Sequence, residues 1–215
     1  MTSDPESLTL FGARASGSVA VEAALTLLGL PYTLVEGATW AEPAARERVA
    51  PVNPMRQIPT LVLPGGEVMT ESAAILIDLA DRHPQARLAP AIDDPARRAF
   101  LRWMVYVSSA IYALHWIKPD VGRIGAPASA RDAVVNAVHD RIAFCWAHMD
   151  SQLSPGRYVL GDELTVLDLY VTVVSRFGPW RERFYKAAPR MTPVVRRVDA
   201  DSRLADFWRG RFPFD

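Results

Sequence analysis

Asn53-Pro54-Met55-Arg56-Gln57-Ile58-Pro59-Thr60-Leu61-Val62-Leu63-Pro64-Gly65-Gly66-Glu67-Val68-Met69-Thr70-Glu71-Ser72 is the stretch whose reading decides the fold. It reads as loop, X-Pro step, strand, tight turn, strand and helix start. Pro59 disfavours the α region at Ile58, so Ile58 is extended. Leu61-Val62-Leu63 is apolar and strand-like, Pro64-Gly65-Gly66 turns the chain, and Glu67-Val68-Met69 returns it. Thr70, Glu71 and Ser72 open a helix with polar side chains beside free N–H groups.

That unit suits the amino-acid-like end of a peptide. A helix N-terminus attracts a carboxylate. Ser72 adds a hydroxyl donor, and Glu71 can take an ammonium. A strand beginning at Pro59 leaves the Ile58 backbone available to an extended ligand, which pairs with it as an added strand does. An X-Pro step before a strand and a Glu-Ser helix start are each ordinary structural features. Their order and spacing here point to a ligand site.

The run Asn53 to Pro59, followed by Glu71-Ser72, resembles the glutathione-binding half of the cytosolic glutathione transferase family. The resemblance extends from Leu8 to about Phe207. It implies a cis bond before Pro59, an Ile58 backbone gripping the cysteinyl part of glutathione, and Glu71 and Ser72 holding the γ-glutamyl end. Gln57 and Arg56 lie near the peptide. The resemblance also implies a homodimer, with glutathione as co-substrate and no metal.

Working outward, Leu8 to Gly12 reads as a first strand and Ser18 to Leu28 as a helix, with Val21, Ala24, Leu25 and Leu28 at helical spacing. Gly29 falls where a terminating glycine belongs, and Pro31 prevents continuation. Tyr32 to Val35 is a second strand, and Thr39 to Val49 is weakly helical. The resulting order, βαβαββα, is that of a thioredoxin-like domain with a mixed sheet. The helix after Ser72 turns Ile75, Leu76 and Leu79 inward and ends by His83-Pro84. Residues 84–92 form the linker between a thioredoxin-like domain at 2–83 and an all-α domain at 93–215.

In the second part, Asp94-Pro95 opens a helix. Phe100, Leu101, Met104, Val105, Ser108, Ile111 and Tyr112 carry it toward Lys118. Ala128 to Leu153 is another, with Val134, Val138, Ile142, Cys145, Trp146 and Met149 at helical spacing. Thr165 and Asp168 form a capping box that opens a helix running to Phe177, where Gly178-Pro179 stops it. The family has a similar buried cap there, which implies a structural role for both. Met191-Thr192-Pro193 opens a further helix.

Composition narrows the function classes. The 215 residues, half of them hydrophobic, allow one large or two small domains with a real core. Lys plus Arg equals Asp plus Glu, at 24 each, and no basic tract favours a nucleic-acid partner. A single cysteine, Cys145, excludes an internal disulfide, argues against a cysteine-built metal site and fits a reducing compartment. Met1 to Ser7 does not read as a signal peptide and no window reads as a membrane span, so a cytoplasmic protein is expected.

Glutathione chemistry needs a thiolate, and a free thiol has a pKa of about 8.5. Lowering it by roughly two units, worth about 2.7 kcal/mol, makes thiolate the main form. A hydroxyl donor and the positive end of a helix can do this. The turn after the first strand, Gly12-Ala13-Arg14-Ala15-Ser16-Gly17-Ser18, is the place. It contains no tyrosine or cysteine, so the serine-type members of the family are the better comparison. Ser16 is the first candidate and Ser18, also placed to cap the helix, the second. A backbone N–H is the remaining alternative. Aligned to one serine-type pattern, Ala15 takes the reactive position, and to the cysteine-type pattern, Gly17. Arg14 either holds an anionic ligand or is solvated. Glu22 departs from relatives that place a basic residue near this position.

The electrophile is expected over the sulfur position. Phe11 is a candidate floor, and Tyr106, Ser109, Tyr112, His115 and Trp116 are candidate walls. Core packing is the competing role for Phe11, and core or dimer packing for Tyr112 and Trp116. The expected reaction is attack of glutathione thiolate on an electrophilic carbon, or glutathione-dependent isomerisation. A glutathione-dependent reductase or dehalogenase is the enzymatic alternative, although a turn without cysteine argues against a mixed disulfide. A non-catalytic glutathione-binding or regulatory protein of the same fold is the other.

Overall fold

The structure, a computed structural model, describes residues 7–178 and 181–213. Pro179, half of the expected helix stop, lies outside them, as do residues 1–6. The chain forms two compact units. One takes the chain to Ala91 and includes the segment from Asp199 onward, and the other is Ile92–Val198. The sequence reading gave that last segment to the helical part.

The first unit has the expected βαβαββα order: β1 (Leu8–Gly12), α1 (Ser18–Leu28), β2 (Tyr32–Glu36), α2 (Pro43–Val49), β3 (Thr60–Val62), β4 (Val68–Thr70) and α3 (Ser72–Arg82). The sheet is mixed, in the order β2-β1-β3-β4. β1 runs parallel to β2 and antiparallel to β3, and β3 pairs antiparallel with β4. Strands β3 and β4 are each displaced by one residue from expectation. Thr60 pairs with both Phe11 and Thr70, so cross-strand hydrogen bonding extends the ladder beyond the apolar run. α1 is buried all round from Ser18 to Leu25 and ends at Gly29, whose φ of 65° is the left-handed conformation a helix-stopping glycine supplies. Ile75, Leu76 and Leu79 of α3 are buried as expected.

In the second unit, α4 (Arg97–Tyr106) does not run unbroken to Lys118. It passes into a π-helical turn at Val107–Ile111 and then a 3₁₀ turn at Tyr112–Trp116. The inserted residue of a π turn shifts the faces of all that follows. α5 (Arg131–Gln152) buries Val138, Ile142, Cys145, Trp146 and Met149. α6 (Val166–Val174) is buried throughout and opens on the expected capping box. It ends at Val174 rather than Phe177. α7 (Arg181–Ala187) and α8 (Thr192–Asp199) follow. α7 was not foreseen, and neither was α9 (Ala205–Arg211), which lies in the first unit.

Candidate functional site

The Ile58–Pro59 bond is cis. The loop before it is braced by one buried amide that the sequence reading did not single out. Asn53 Nδ2 donates to the Gln57 carbonyl at 3.1 Å and to Thr60 Oγ1 at 3.0 Å, and its Oδ1 accepts from the Met55 N–H at 3.0 Å. Thr60 Oγ1 in turn donates to the Gln57 carbonyl at 2.9 Å. Asn53 is 5% exposed, so these bonds are made away from water and hold the loop firmly. Gln57 and Arg56 are exposed, and Ile58 is half-buried. The Arg56 guanidinium lies 3.1 Å from Glu47, a surface pair.

Glu71 has φ 64° and ψ 105°, a conformation that costs a non-glycine residue of order 1–3 kcal/mol. It directly precedes Ser72, the first residue of α3, which is buried. α3 has eleven residues, long enough for its N-terminal N–H groups and dipole to favour an anion. An exposed carboxylate and a helix N-terminus therefore lie side by side, complementary to an ammonium and a carboxylate on one carbon.

The turn before α1 differs from expectation in detail. Ser18 is not the cap: Gly17 is, with no side-chain cap bond, and Ser18 is the first helical residue. The Ser18 hydroxyl accepts from the Ala13 N–H at 3.0 Å and lies 3.0 Å from Glu22 Oε1, to which it donates. The Ser16 hydroxyl donates to the Ala13 carbonyl at 2.7 Å and accepts from the Ser18 N–H at 3.1 Å. Both serines are buried, at 5% and 0% exposure. The exposed face of the turn belongs to Arg14 and to Ala15, whose φ is 54°. Gly12 is required by close packing, since a Cβ there would come within 2.5 Å of Ser18 Oγ.

Glu22, whose departure from relatives bears on either a dimer face or the helix's charge, is wholly buried. Arg211 donates to both of its oxygens, from Nε at 2.6 Å and from Nη2 at 3.1 Å. Burial pushes the Glu22 carboxyl above its usual range, and the Arg211 and Ser18 bonds pull the other way. Nearby, burial and then the Glu22 charge push the Tyr32 phenol up to about 12.

In the helical unit the candidate wall residues separate. Tyr106 turns to α5 and donates to the Cys145 carbonyl at 3.1 Å, and burial pushes its phenol up to about 12. Ser109 is exposed and donates back to the Val105 carbonyl. Trp116 is 48% exposed, with Arg123 over its ring. Tyr112 and His115 do come together, their rings 6.3 Å apart, and Phe177 contacts both, stacked on Tyr112 at 5.5 Å. Both His115 ring nitrogens are buried and have no partner among the described residues. His115 lines a cavity of about 10 Å³, together with His139, Trp146 and Phe184, at the lower limit for one water. Burial first, then Lys118 and His139, lower the His115 imidazole to about 3. It is a neutral ring at physiological pH. In the first unit, Phe11 is half-buried on β1 opposite Val35 and Thr60.

The fold is that of a thioredoxin-like domain followed by a helical unit. Residues 18–82 match the family model described as the glutathione S-transferase N-terminal domain. An uncharacterised GST-like protein of Escherichia coli K12 is 31% identical over 193 residues, covering 89% of this chain and 92% of that protein. A probable maleylacetoacetate isomerase of Caenorhabditis elegans is 31% identical over 166 residues, covering 74% and 72%. Among solved structures, a glutathione transferase homologue from Sulfitobacter with bound glutathione superposes with a TM-score of 0.82 at 26% identity, covering 96% of this chain and 100% of that one. The chain belongs to the glutathione transferase family and is an enzyme of the glutathione transferase type. No helix among the described residues is long and apolar enough to cross a membrane.

Proposed function

We propose that the protein binds glutathione on its first unit, lowers the thiol pKa and directs the thiolate at an electrophilic carbon of a small molecule. The observation that carries this is Glu71 held at φ 64° directly before the N-terminus of α3, beside a loop braced by Asn53 that ends in the Ile58–Pro59 step. The γ-glutamyl ammonium is taken by the Glu71 carboxylate. Its α-carboxylate lies on the first turn of α3 with the Ser72 hydroxyl, and the Ile58 backbone pairs with the cysteinyl residue. The cysteinyl sulfur then meets the Ala13–Ser18 turn. There the N-terminus of α1 favours negative charge, so the thiol gives its proton to solvent and the sulfur forms the new bond to carbon as that carbon's leaving group departs with its electron pair, or as an activated double bond takes up the pair and then a proton from solvent. Because the Ser16 and Ser18 hydroxyls already donate inward, they shape the turn and the helix end provides the field.

Glutathione-dependent isomerisation is the second reading, supported by the relative described as a probable maleylacetoacetate isomerase. There the thiolate adds to carbon and leaves again, so the same site serves. A homodimer is part of the proposal, through family membership.

Calorimetric titration with glutathione at several pH values tests the reading. Binding with proton release near neutral pH supports it, binding without release refutes thiol activation, and no binding refutes the Glu71-Ser72 assignment. Ser16→Ala separates shaping from direct donation. A shaping role predicts lowered stability with much of the proton release retained. A hydroxyl that donates to sulfur predicts the reverse.

A further inference from the structure

We propose that Arg211, near the end of the chain, is a positioning residue for the thiol-binding turn. This rests on the glutathione reading above and adds the device that holds its activating element in shape. Three turn N–H groups have defined acceptors: Ala13 to Ser18 Oγ at 3.0 Å, Arg14 to Glu36 Oε1 at 2.8 Å, and Ala15 to the Arg211 carbonyl at 2.9 Å. Each strut leads to Arg211. The Ala15 bond is made to its own carbonyl. Glu36, which fixes Arg14, gives its other oxygen to Arg211 Nη1 at 2.8 Å. Ser18, which fixes Ala13, is bonded to Glu22, whose carboxylate is gripped by Arg211 through Nε and Nη2. One guanidinium thus spans two carboxylates, gripping Glu22 through two nitrogens and Glu36 through the third, a planar fork that a lysine's compact ammonium does not reproduce.

Charge works in the same direction as geometry. Glu22 and Glu36 carry two carboxylates beneath the turn, and Arg211 is the cation bonded to both. A thiolate near uncompensated carboxylates is disfavoured, so losing Arg211 raises the thiol pKa as well as loosening the turn. Arg211 lies 189 residues from Glu22 in the sequence, and its side chain is only 17% exposed. It does not touch the reacting atoms and acts through the turn.

The test uses the full chain with Arg211→Ala and Arg211→Lys. Amide hydrogen exchange at Arg14 and Ala15 is measured without glutathione, and the midpoint of thiolate formation is then titrated with glutathione bound. In Arg211→Ala we expect exchange at both amides to quicken by tenfold or more, the midpoint to move up by about one pH unit, and kcat/KM with an activated aryl halide to fall on the order of ten- to a hundredfold. Arg211→Lys keeps the charge and should fall between wild type and Arg211→Ala. If Arg211→Ala does not fold, Arg211→Lys carries the test by itself. Unchanged amide exchange overturns the proposal. So does faster exchange with an unmoved midpoint, which would make Arg211 merely structural. If wild-type protein binds glutathione without lowering its thiol pKa, the functional reading fails and the positioning role falls with it. A lowered wild-type midpoint with unmoved variants overturns the positioning role alone.

Discussion

Lowering the pH from 6.5 to 4 should withdraw about 3 kcal/mol of stability through one side chain, His115. Its ring nitrogens are buried without partners among the described residues, and burial, with Lys118 and His139 nearby, holds its pKa at about 3 against an ordinary 6.5. The unfolded chain therefore takes up a proton below pH 6.5 that the folded chain refuses until about 3. The folded pKa is depressed, so this stability is present above 6.5 and is lost as pH falls, at about 1.4 kcal/mol per pH unit. The sum is a large part of a typical stability of about 5–15 kcal/mol. Asp168 opposes it. Burial pushes its carboxyl up to about 6 from 3.8, so between those values the folded state holds the extra proton and gains stability as pH falls. The assay is therefore a difference, urea unfolding of wild type and His115→Phe at pH 7, 6, 5 and 4, followed by fluorescence of the buried Trp103 and Trp146. Relative to its value at pH 7, the variant should gain about 3 kcal/mol on wild type by pH 4. A difference that stays within about 0.5 kcal/mol across the range, or an imidazole that titrates by NMR above pH 5.5, refutes the reasoning.

Two further changes test the remaining strong features. Asp168 accepts from the Val159 N–H, the Thr165 N–H and the Thr165 hydroxyl, each at 2.8 Å, so Asp168→Ala leaves buried donors unpaired and should cost about 3 kcal/mol; a fall in melting temperature of less than about 2 °C refutes this. Glu71→Gly removes a non-glycine residue from φ 64° and should keep stability within about 1 kcal/mol of wild type, or raise it, while weakening glutathione binding tenfold or more. Thermal melting and calorimetry read the two effects separately, and unaltered affinity would remove Glu71 from the site.

Features set by neighbours in sequence were legible, and features set by long-range contact were not. α1 was read with its observed bounds because apolar spacing and Gly29 are local signals. The Thr165–Asp168 box spans four residues and was equally plain. Strands β3 and β4 slipped by one because the ends of their ladders are Thr60 and Thr70, polar residues that only the pairing pattern recruits. The π turn after Tyr106 adds a residue that no periodicity shows, so Tyr106 was grouped with Tyr112 although it turns to Cys145 instead. Ser18 was read as a cap from its residue type, yet its hydroxyl is used by Ala13 and Glu22. Nothing near Glu22 in sequence announces Arg211. The one hint is a buried-helix position filled by an acid, which requires a cation from somewhere.

The two segments that the proposed reading sets against glutathione are fixed by different means, and on that reading this separates holding glutathione from activating it. The 53–60 loop is closed by its own residues, with the Asn53 amide and Thr60 hydroxyl binding the carbonyl and donors beside them. The Ala13–Ser18 turn depends on Glu36 from the end of β2, Glu22 from α1 and Arg211 from α9. The grip on the peptide should therefore survive changes at the end of the chain, whereas the field felt by sulfur should not. On the proposed reading, the ion cluster bonded to the turn makes thiol activation a property of the completed unit, while peptide binding remains a property of the local loop.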